Sequence, residues 1–347
     1  MTRRDGARTI RNMEQFAAAS GFSRPTVSKY FHDPSSVRAS TRAGIEAAIE
    51  RYDYRPNLFA MNQNRRLTKN VGVVVPLLTD PFFAEIARTI ERLCVAAGFR
   101  PILLSSNGET AQEAENLDTL LSLKPAGVLL APLGRSSDRE ALTAFCRDVP
   151  TVLFDSNVEG LGEAFVGSDN ASFIAQTVGY LCDTGEPPFF FEMRHPANPN
   201  ANKRRAAFVA EMDARGIEPG IHKIDGTGWA FEEIGRRGAL AMIDAGAMPG
   251  RTILCSNDRL AIGVLAACYE RGLRVGKGTG CALRLASNDD HPHARYTCPA
   301  LTTAAHDYGS VAARAVETLF ALIEAGGRFE SRQETLFAAR LILRDSA

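Results

Sequence analysis

Residue periodicity indicates an α/β protein with a small helical headpiece followed by two α/β lobes. Residues 9–52 carry apolar side chains at helical spacing, interrupted by turn signals. From residue 71 onward, apolar β-branched runs alternate with amphipathic stretches, a rhythm typical of a doubly wound parallel sheet. The rhythm restarts near residue 170, so two similar halves follow one another.

Residues 9–32, TIRNMEQFAAASGFSRPTVSKYFH, predict two short helices joined by a tight turn. Gly21 can supply a positive φ at that turn. Ser23 is a good N-cap for the second helix, and Pro25 is tolerated in its first turn. The second helix keeps polar and cationic residues outside. This is the layout of a helix-turn-helix whose second helix enters a DNA major groove. An ordinary helical hairpin is the alternative.

A third helix completes a headpiece assigned to residues 1–55. Asp33, which precedes a proline, ends the second helix, and Ser40 is predicted to cap the third, TRAGIEAAIERY. Residues 56–69 are basic and too short for a stable isolated helix, so they are predicted to form a hinge that folds on a partner. A plain flexible linker is the alternative. Residues 70–347 form the effector-binding and dimerisation domain in this prediction.

Charge is distributed unevenly along a chain whose net charge is zero. Residues 1–69 hold 13 Lys and Arg against 6 Asp and Glu, whereas the remainder is acidic overall. A basic head on an acidic body is typical of a small nucleic-acid-binding module attached to another domain. A basic disordered tail is the alternative, but the apolar periodicity of residues 9–52 opposes it.

Composition and motifs also limit where the protein is expected to act and which chemical activities it is expected to have. No apolar run reaches membrane-spanning length, and the N-terminal segment does not look like a signal peptide. Seven scattered cysteines without a C-x-x-C pair predict reduced thiols, no metal site and a cytoplasmic protein without membrane partners. The chain shows no nucleophile elbow or phosphate loop, and VVVPLLTDP lacks a glycine-rich dinucleotide turn. We therefore expect neither enzymatic activity nor a cofactor.

Five motifs together resemble the lactose/galactose repressor family of bacterial transcription regulators. They are FAAASGFSRPTVSKYFHD, YDYRPNLFA, VGVVVPLLTDPFFAEIARTIE, ILCSNDRLAIGVL and PALTTAAHDYGSVAARAV. The resemblance implies a hinge helix and a two-lobed body similar to periplasmic binding proteins, with parallel sheets. It places the first lobe at about 70–168 and 301–327, and the second at about 169–300 and 328–347. It also implies homodimers on palindromic operators, without the extra C-terminal helix of tetrameric members.

The resemblance, with the chemistry of base edges, assigns a set of DNA-binding residues. Arg24 and Lys29 can donate to guanine, and Pro25 can pack on a thymine methyl. Many family members have a leucine in the hinge that wedges into the minor groove, where this chain has Gln63. The remaining positions are expected to contact DNA, mainly its phosphates: Ser23, Thr26, Ser28, His32, Asn57 and Arg65. Solvated surface charge is the alternative for Arg24 and Lys29.

An effector pocket is implied at the strand ends of both lobes. The matching positions are Asp80, Phe82, Phe83, Asn107, Pro132, Asp155, Arg204, Trp229, Asn257, Asp258 and Asp289. Carboxylates, amides and a guanidinium can bind pairs of hydroxyls, while aromatic rings cover the apolar faces of a sugar. Asp80 and Asp258 have an alternative role as helix caps. Ala207 replaces the glycine of the family's R-x-x-G-F pattern.

The expected function is therefore that of a sequence-specific transcriptional regulator, with repression as the preferred interpretation. A small carbohydrate-like effector bound between the lobes would control its affinity for double-stranded operator DNA. The alternative is a solute-binding receptor without a DNA function, against which the basic headpiece argues.

Overall fold

A computed structural model describes residues 10, 12–56 and 68–347 of the chain. Two compact units, residues 1–68 and 69–347, are distinguished by the density of their internal contacts. The first is the headpiece and the second is the body. Among the described residues, no helix is long and apolar enough to cross a membrane.

The described residues of the headpiece form three α-helices: α1 (Met13–Ser20), α2 (Arg24–His32) and α3 (Ala39–Tyr52). Gly21 ends α1 in the left-handed conformation, with a φ of 75°. The buried core of the headpiece takes one residue from each helix and one from the segment that follows: Phe16, Val27, Ile45 and Tyr54. Phe16 and Tyr54 stack with ring centroids 4.3 Å apart. The predicted three-helix headpiece is therefore present in the structure.

The predicted cap of the third helix is wrong. Helix α3 begins at Ala39, its N-cap is Arg38 without a side-chain hydrogen bond, and Ser40 lies inside the helix. The predicted boundary was displaced because Ala39 and Ser40 both suit a first helical turn, and a serine is tolerated there without capping.

The body contains twelve strands and eight helices. The strands are β1 (Asn70–Val75), β2 (Arg100–Ser105), β3 (Gly127–Leu130), β4 (Thr151–Phe154), β5 (Ala164–Ser168), β6 (Phe189–Met193), β7 (Ile221–Ile224), β8 (Thr252–Cys255), β9 (Arg284–Asp289), β10 (Thr302–Ala305), β11 (Gln333–Phe337) and β12 (Arg340–Ile342). The helices are α4 (Pro81–Ala96), α5 (Thr110–Leu123), α6 (Arg139–Asp148), α7 (Asn170–Thr184), α8 (Asn200–Ala214), α9 (Phe231–Asp244), α10 (Asp258–Glu270) and α11 (Tyr308–Glu324).

Two six-stranded sheets organise these elements. The first has the order β11-β5-β4-β3-β1-β2, and the second has the order β12-β10-β9-β8-β6-β7. All pairs are parallel except β10 with β12. Helices α4 and α11 cover one face of the first sheet, and α5 and α6 cover the other. Helices α9 and α10 cover one face of the second sheet, with α7 and α8 on the other. The predicted doubly wound α/β class is confirmed.

The lobe boundaries differ from the expectation. Strand β10 pairs with β9 in the second sheet, although residues 301–327 were assigned to the first lobe. Strand β11 pairs with β5 in the first sheet, although residues 328–347 were assigned to the second. We therefore define the first lobe as residues 69–168 and 308–337, and the second as 169–305 and 340–347. Short strands such as TTAA and QETLF suit either sheet, so their sequence does not determine which sheet they join.

Candidate functional sites: helix α2 and the interlobe cleft

Helix α2 presents a polar outer surface. Arg24, Pro25, Ser28 and Lys29 are exposed, whereas Val27 is buried in the headpiece core. The exposed face therefore offers two cationic donors and a hydroxyl, the groups that contact guanine edges and phosphates in a major groove.

Two of the predicted DNA contacts also serve the helix itself. The Ser23 Oγ accepts a hydrogen bond from the Thr26 backbone N–H at 3.3 Å. The two hydroxyls share a second hydrogen bond at 2.8 Å. Ser23 is thus the N-cap that its sequence position predicts. The side chain of His32 and the residues Asn57, Gln63 and Arg65 lie outside the described part of the chain.

A cleft opens between the carboxyl ends of the two sheets, where open α/β folds bind ligands. Most of the predicted pocket residues line it: Asp80, Phe82, Phe83, Asp155, Arg204, Trp229, Asn257 and Asp289. Further lining residues were not predicted, among them Asn200, Phe231, Arg259, His291, His306 and Tyr308. The cavity volume is about 40 Å³, which is less than a sugar ring needs but enough for a few waters. A sugar can therefore enter the cleft only when side chains or lobes move.

Three predicted residues lie elsewhere. Asn107 is an exposed turn residue that accepts a hydrogen bond from the Ser105 hydroxyl. Pro132 is buried, and its carbonyl accepts the hydroxyl hydrogen bond of Ser156. Asp258 is also buried, behind the cleft rather than in its wall. These positions support the cleft's framework instead of forming its lining.

Asp258 holds two segments of the second lobe together. Its carboxylate accepts hydrogen bonds from the Thr303 hydroxyl at 2.7 Å and from the His291 N–H at 2.8 Å. Burial raises the pKa of Asp258 well above its usual value. The N-cap of α10 is Asn257, whose Oδ1 accepts the Leu260 N–H. The suggested capping role of Asp258 is therefore wrong by one position.

Arg204 and Asp289 form the central ion pair of the cleft. The Arg204 Nη2 lies 2.6 Å from the Asp289 Oδ1, and the arginine side chain is only 4% exposed. The guanidinium also donates to Asn170 Oδ1 at 3.1 Å and to the Ser256 carbonyl at 2.7 Å. Burial alone would raise the pKa of Asp289, but Arg204 and His306 together outweigh burial and hold this pKa below its usual range.

Asp155 and Asn200 meet across the two lobes. The Asn200 Nδ2 donates to the Asp155 carboxylate at 3.1 Å and to its carbonyl at 3.2 Å. Asn200 is 3% exposed, and its Oδ1 has no hydrogen-bond partner. Burial raises the pKa of Asp155 to about 7. In the described chain no basic side chain approaches this carboxylate closely enough to form an ion pair.

Arg259 provides a second contact between the lobes. Its guanidinium binds both carboxylate oxygens of Glu232, at 2.7 and 2.8 Å, within the second lobe. Its Nη1 donates across the cleft to the Asp80 Oδ2 at 3.0 Å. Asp80 is also the N-cap of α4, because its Oδ1 accepts the Phe82 N–H. Asp80 therefore combines its capping role with a position in the cleft.

An aromatic wall lines one side of the cleft. The ring centroids of Phe82 lie 4.8 Å from Tyr308 and 4.6 Å from Phe83. The Trp229 centroid lies 6.2 Å from that of Phe83 and 5.5 Å from that of Phe231. Such rings can cover the apolar face of a sugar or of another flat ligand.

His306 contributes a buried imidazole that sequence reasoning missed. Its Nε2 lies 3.6 Å from the Asp289 Oδ1, beyond hydrogen-bond distance, and neither ring nitrogen has a partner in the structure. Burial lowers the pKa of His306, so the ring is neutral near pH 7. Its position just after a buried strand was the available sequence signal, as it was for Arg259 beside Asn257.

The described ranges contain no group of three His, Cys, Asp or Glu side chains that could hold a metal ion.

Comparisons with known proteins agree with this architecture. Residues 12–57 match the family model of bacterial regulatory proteins of the lacI family. Residues 175–347 match a periplasmic binding protein-like domain. The chain therefore carries the DNA-binding domain of lacI-family regulators together with a periplasmic binding protein-like domain. The expected resemblance to this family is thereby confirmed.

Named relatives extend along most of the chain. It is 27% identical over 341 residues to the HTH-type transcriptional regulator PtxS of Pseudomonas aeruginosa, covering 96% of this chain and 95% of that protein. It is 26% identical to the ribose operon repressor of Escherichia coli, covering 84% of this chain and 86% of that protein. These similarities identify the chain as a DNA-binding transcriptional regulator with a ligand-binding body.

A solved structure shows the same fold. The Lac repressor bound to ONPG in its repressed state superposes with a TM-score of 0.82 at 22% identity. The superposition covers 98% of this chain and 100% of that one. The order of a helix-turn-helix headpiece and a two-lobed body is therefore shared with that structure.

Proposed function

We propose that this regulator represses transcription from palindromic operators as a homodimer, and that a small polyhydroxylated effector bound in the interlobe cleft changes its operator affinity. The observation that supports this most is the cleft itself. Buried hydrogen-bonding groups from both lobes converge there on a wall of aromatic rings. Polar donors and acceptors beside aromatic faces suit a carbohydrate-like ligand. The name of the ribose operon repressor is consistent with this class.

Helix α2 supports the DNA part of the proposal. Arg24 and Lys29 are exposed cations on α2. This helix lies within residues 12–57, which match the lacI family model. We assign the two cations to base reading, with Pro25 as an apolar contact, and assign Ser23, Thr26, Ser28 and His32 to phosphates. We propose the same for Asn57 and Arg65 in the hinge, with Gln63 in the minor groove. A receptor without a DNA function would gain nothing from this headpiece.

Dimerisation is proposed through the body. A single helix-turn-helix offers a small interface, so tight binding needs two headpieces on one palindrome. Large apolar side chains are exposed in both lobes, where a second copy can cover them: Val95 in α4, with Tyr269 and Tyr296 exposed by 87% and 81% in the second lobe. We place the protein in the cytoplasm, where its operator is, and propose that it has no enzymatic activity.

The test has two stages. Selection from a random DNA library with the full-length protein gives the preferred operator, and fluorescence anisotropy then measures its affinity with and without sugars and polyols. We expect at least one compound to change operator affinity about tenfold, a typical coupling between two sites. The variant Arg24→Ala should lose the base preference. A protein that selects no sequence, or whose operator affinity ignores every cleft ligand, would contradict the proposal.

A further inference from the structure

One corner of the cleft contains more hydrogen-bond acceptors than donors. Among described side chains, only the Asn200 amide donates a hydrogen bond to the Asp155 carboxylate. The Asn200 Oδ1 is buried and has no hydrogen-bond partner. A buried acceptor without a donor destabilises a protein unless a ligand or water satisfies it. Both side chains line the cleft, so a bound ligand can supply those donors.

The cations of the cleft are already bound to acceptors of the protein. Arg204 donates to Asn170, Ser256 and Asp289. Arg259 donates to Glu232 and Asp80. Three aspartates line the cleft against these two arginines, and Asp155 is the one without an ion pair among the described residues. An anionic group on a ligand would therefore meet occupied guanidiniums and a surplus of negative charge.

We infer that the preferred effector carries a protonated amine that binds between Asp155 and Asn200, so that its class is an amino sugar or another aminopolyol. Sugar acids and sugar phosphates are excluded as effectors, because the same corner would repel their negative charge. This inference rests on the proposed function of the cleft as the effector site.

Donor counting favours an amine over a hydroxyl at this position. An ammonium has three donors and a positive charge, whereas a sugar hydroxyl has one donor and no charge. Hydrogen bonds between ionised partners are roughly twice as strong as those between neutral ones. The ammonium can therefore donate to the Asp155 carboxylate and the Asn200 Oδ1 together, and it also neutralises the carboxylate.

The electrostatic surroundings of Asp155 agree with this assignment. The pKa of its carboxyl is raised to about 7, mainly by burial and also by the nearby carboxylates of Asp289 and Asp80. Arg204 and Lys203, both on α8, lower it only in part. A ligand cation beside Asp155 would stabilise the ionised form, and its binding near neutral pH would release protons.

The first experiment uses the full-length protein and a matched set of ligands. Titration calorimetry compares D-glucosamine, D-galactosamine and D-mannosamine with the neutral hexoses, their N-acetyl forms and the uronates. We expect at least one amine to bind about tenfold or more tightly than its neutral and N-acetyl counterparts, as the stronger charge-assisted bonds require. Amine binding should release protons, as shown by heats that depend on the buffer. The uronates should not bind.

Asp155→Asn tests the position of the amine, and Asp118→Asn, on the exposed side of α5, is the matched control. The first variant should lose the preference for the amine, and the control should keep it. Equal or tighter binding of neutral sugars to the unmodified protein, no binding of any amine, or an amine preference that survives in Asp155→Asn would overturn the inference. If only neutral sugars bind and release the operator, the proposed function stands without the amine. If an amine binds at Asp155 without changing operator affinity, the cleft is an amine-binding site but not an effector site, and the proposed function fails.

Discussion

Replacing Arg204 by Met should destabilise the body more than a typical substitution does. The guanidinium is 4% exposed and makes three hydrogen bonds, so its removal leaves the Asp289 carboxylate without a cation. Removing one partner of a buried ion pair costs about 3–5 kcal/mol. The Asn170 and Ser256 acceptors lose their donor too, but water from the cleft can satisfy them in part. We therefore expect the free energy of unfolding to fall by about 3–5 kcal/mol.

Urea unfolding followed by circular dichroism measures this loss at neutral pH. The control is Arg271→Met, because the Arg271–Asp244 ion pair is as short, 2.6 Å, but its arginine is 39% exposed. That variant should lose far less stability, because solvent screens an exposed ion pair. The double variant Arg204→Met, Asp289→Asn should regain much of the lost stability, since no unpaired charge remains buried. A loss below about 1 kcal/mol for Arg204→Met alone would refute the reasoning.

Three further predictions concern the headpiece, the cleft carboxylate and the tryptophan. Arg24→Ala and Lys29→Ala should each weaken specific DNA binding by about 1–3 kcal/mol and relax the base preference in a competition assay; an unchanged preference would exclude them from base reading. Because folding raises the pKa of Asp155 from its usual 3.8 to about 7, stability should fall as pH rises between those values. Asp155→Asn should flatten that part of the melting-temperature profile and raise the melting temperature at alkaline pH. Gly108→Ala would place a Cβ 2.4 Å from the Trp229 Nε1. It should therefore weaken effector binding and shift the fluorescence of this tryptophan, the one in the chain. Gly216 has a similar φ but open space around it, so Gly216→Ala should have neither effect.

Periodicity was sufficient to predict the helices and the α/β class, because each apolar face had to be buried against a sheet or another helix. Phe16 and Val27 illustrate this in the headpiece. Strand β5, AFVGS, was not predicted, because it is short and contains a glycine. The sheet joined by β10 and β11 depends on hydrogen bonds between segments distant in sequence, which a local pattern does not encode.

The cleft was predictable where residues follow strands and belong to a recognisable motif. Arg204, Asn257 and Asp289 are of this kind, and all three line it. Arg259 lies in the same motif as Asn257, but its contact with Asp80, like that of Asn200 with Asp155, could not be predicted this way, because each contact joins residues of opposite lobes. Their partners are 179 and 45 positions away in the chain, and only the approach of the two lobes brings them together.

The Arg259–Asp80 ion pair should control how tightly the effector binds. It joins α10 of the second lobe to the N-terminus of α4 in the first, at 3.0 Å and largely out of solvent. In Arg259→Gln the closed cleft would hold Asp80 without its cation, whereas an open cleft lets water reach it. Hydrogen bonds to charged groups contribute about 1.5–3 kcal/mol, so the equilibrium should shift toward the open form by about tenfold or more. We propose that the effector is held by contacts with both lobes once side chains have made room for it. Its apparent affinity should then fall by the same factor, while small-angle scattering shows a larger radius of gyration. Arg271→Gln removes an ion pair within the second lobe alone and should change neither quantity. Unaltered effector affinity and scattering in Arg259→Gln would mean that the remaining contacts between the lobes, such as Asn200 with Asp155, keep the cleft closed without the arginine.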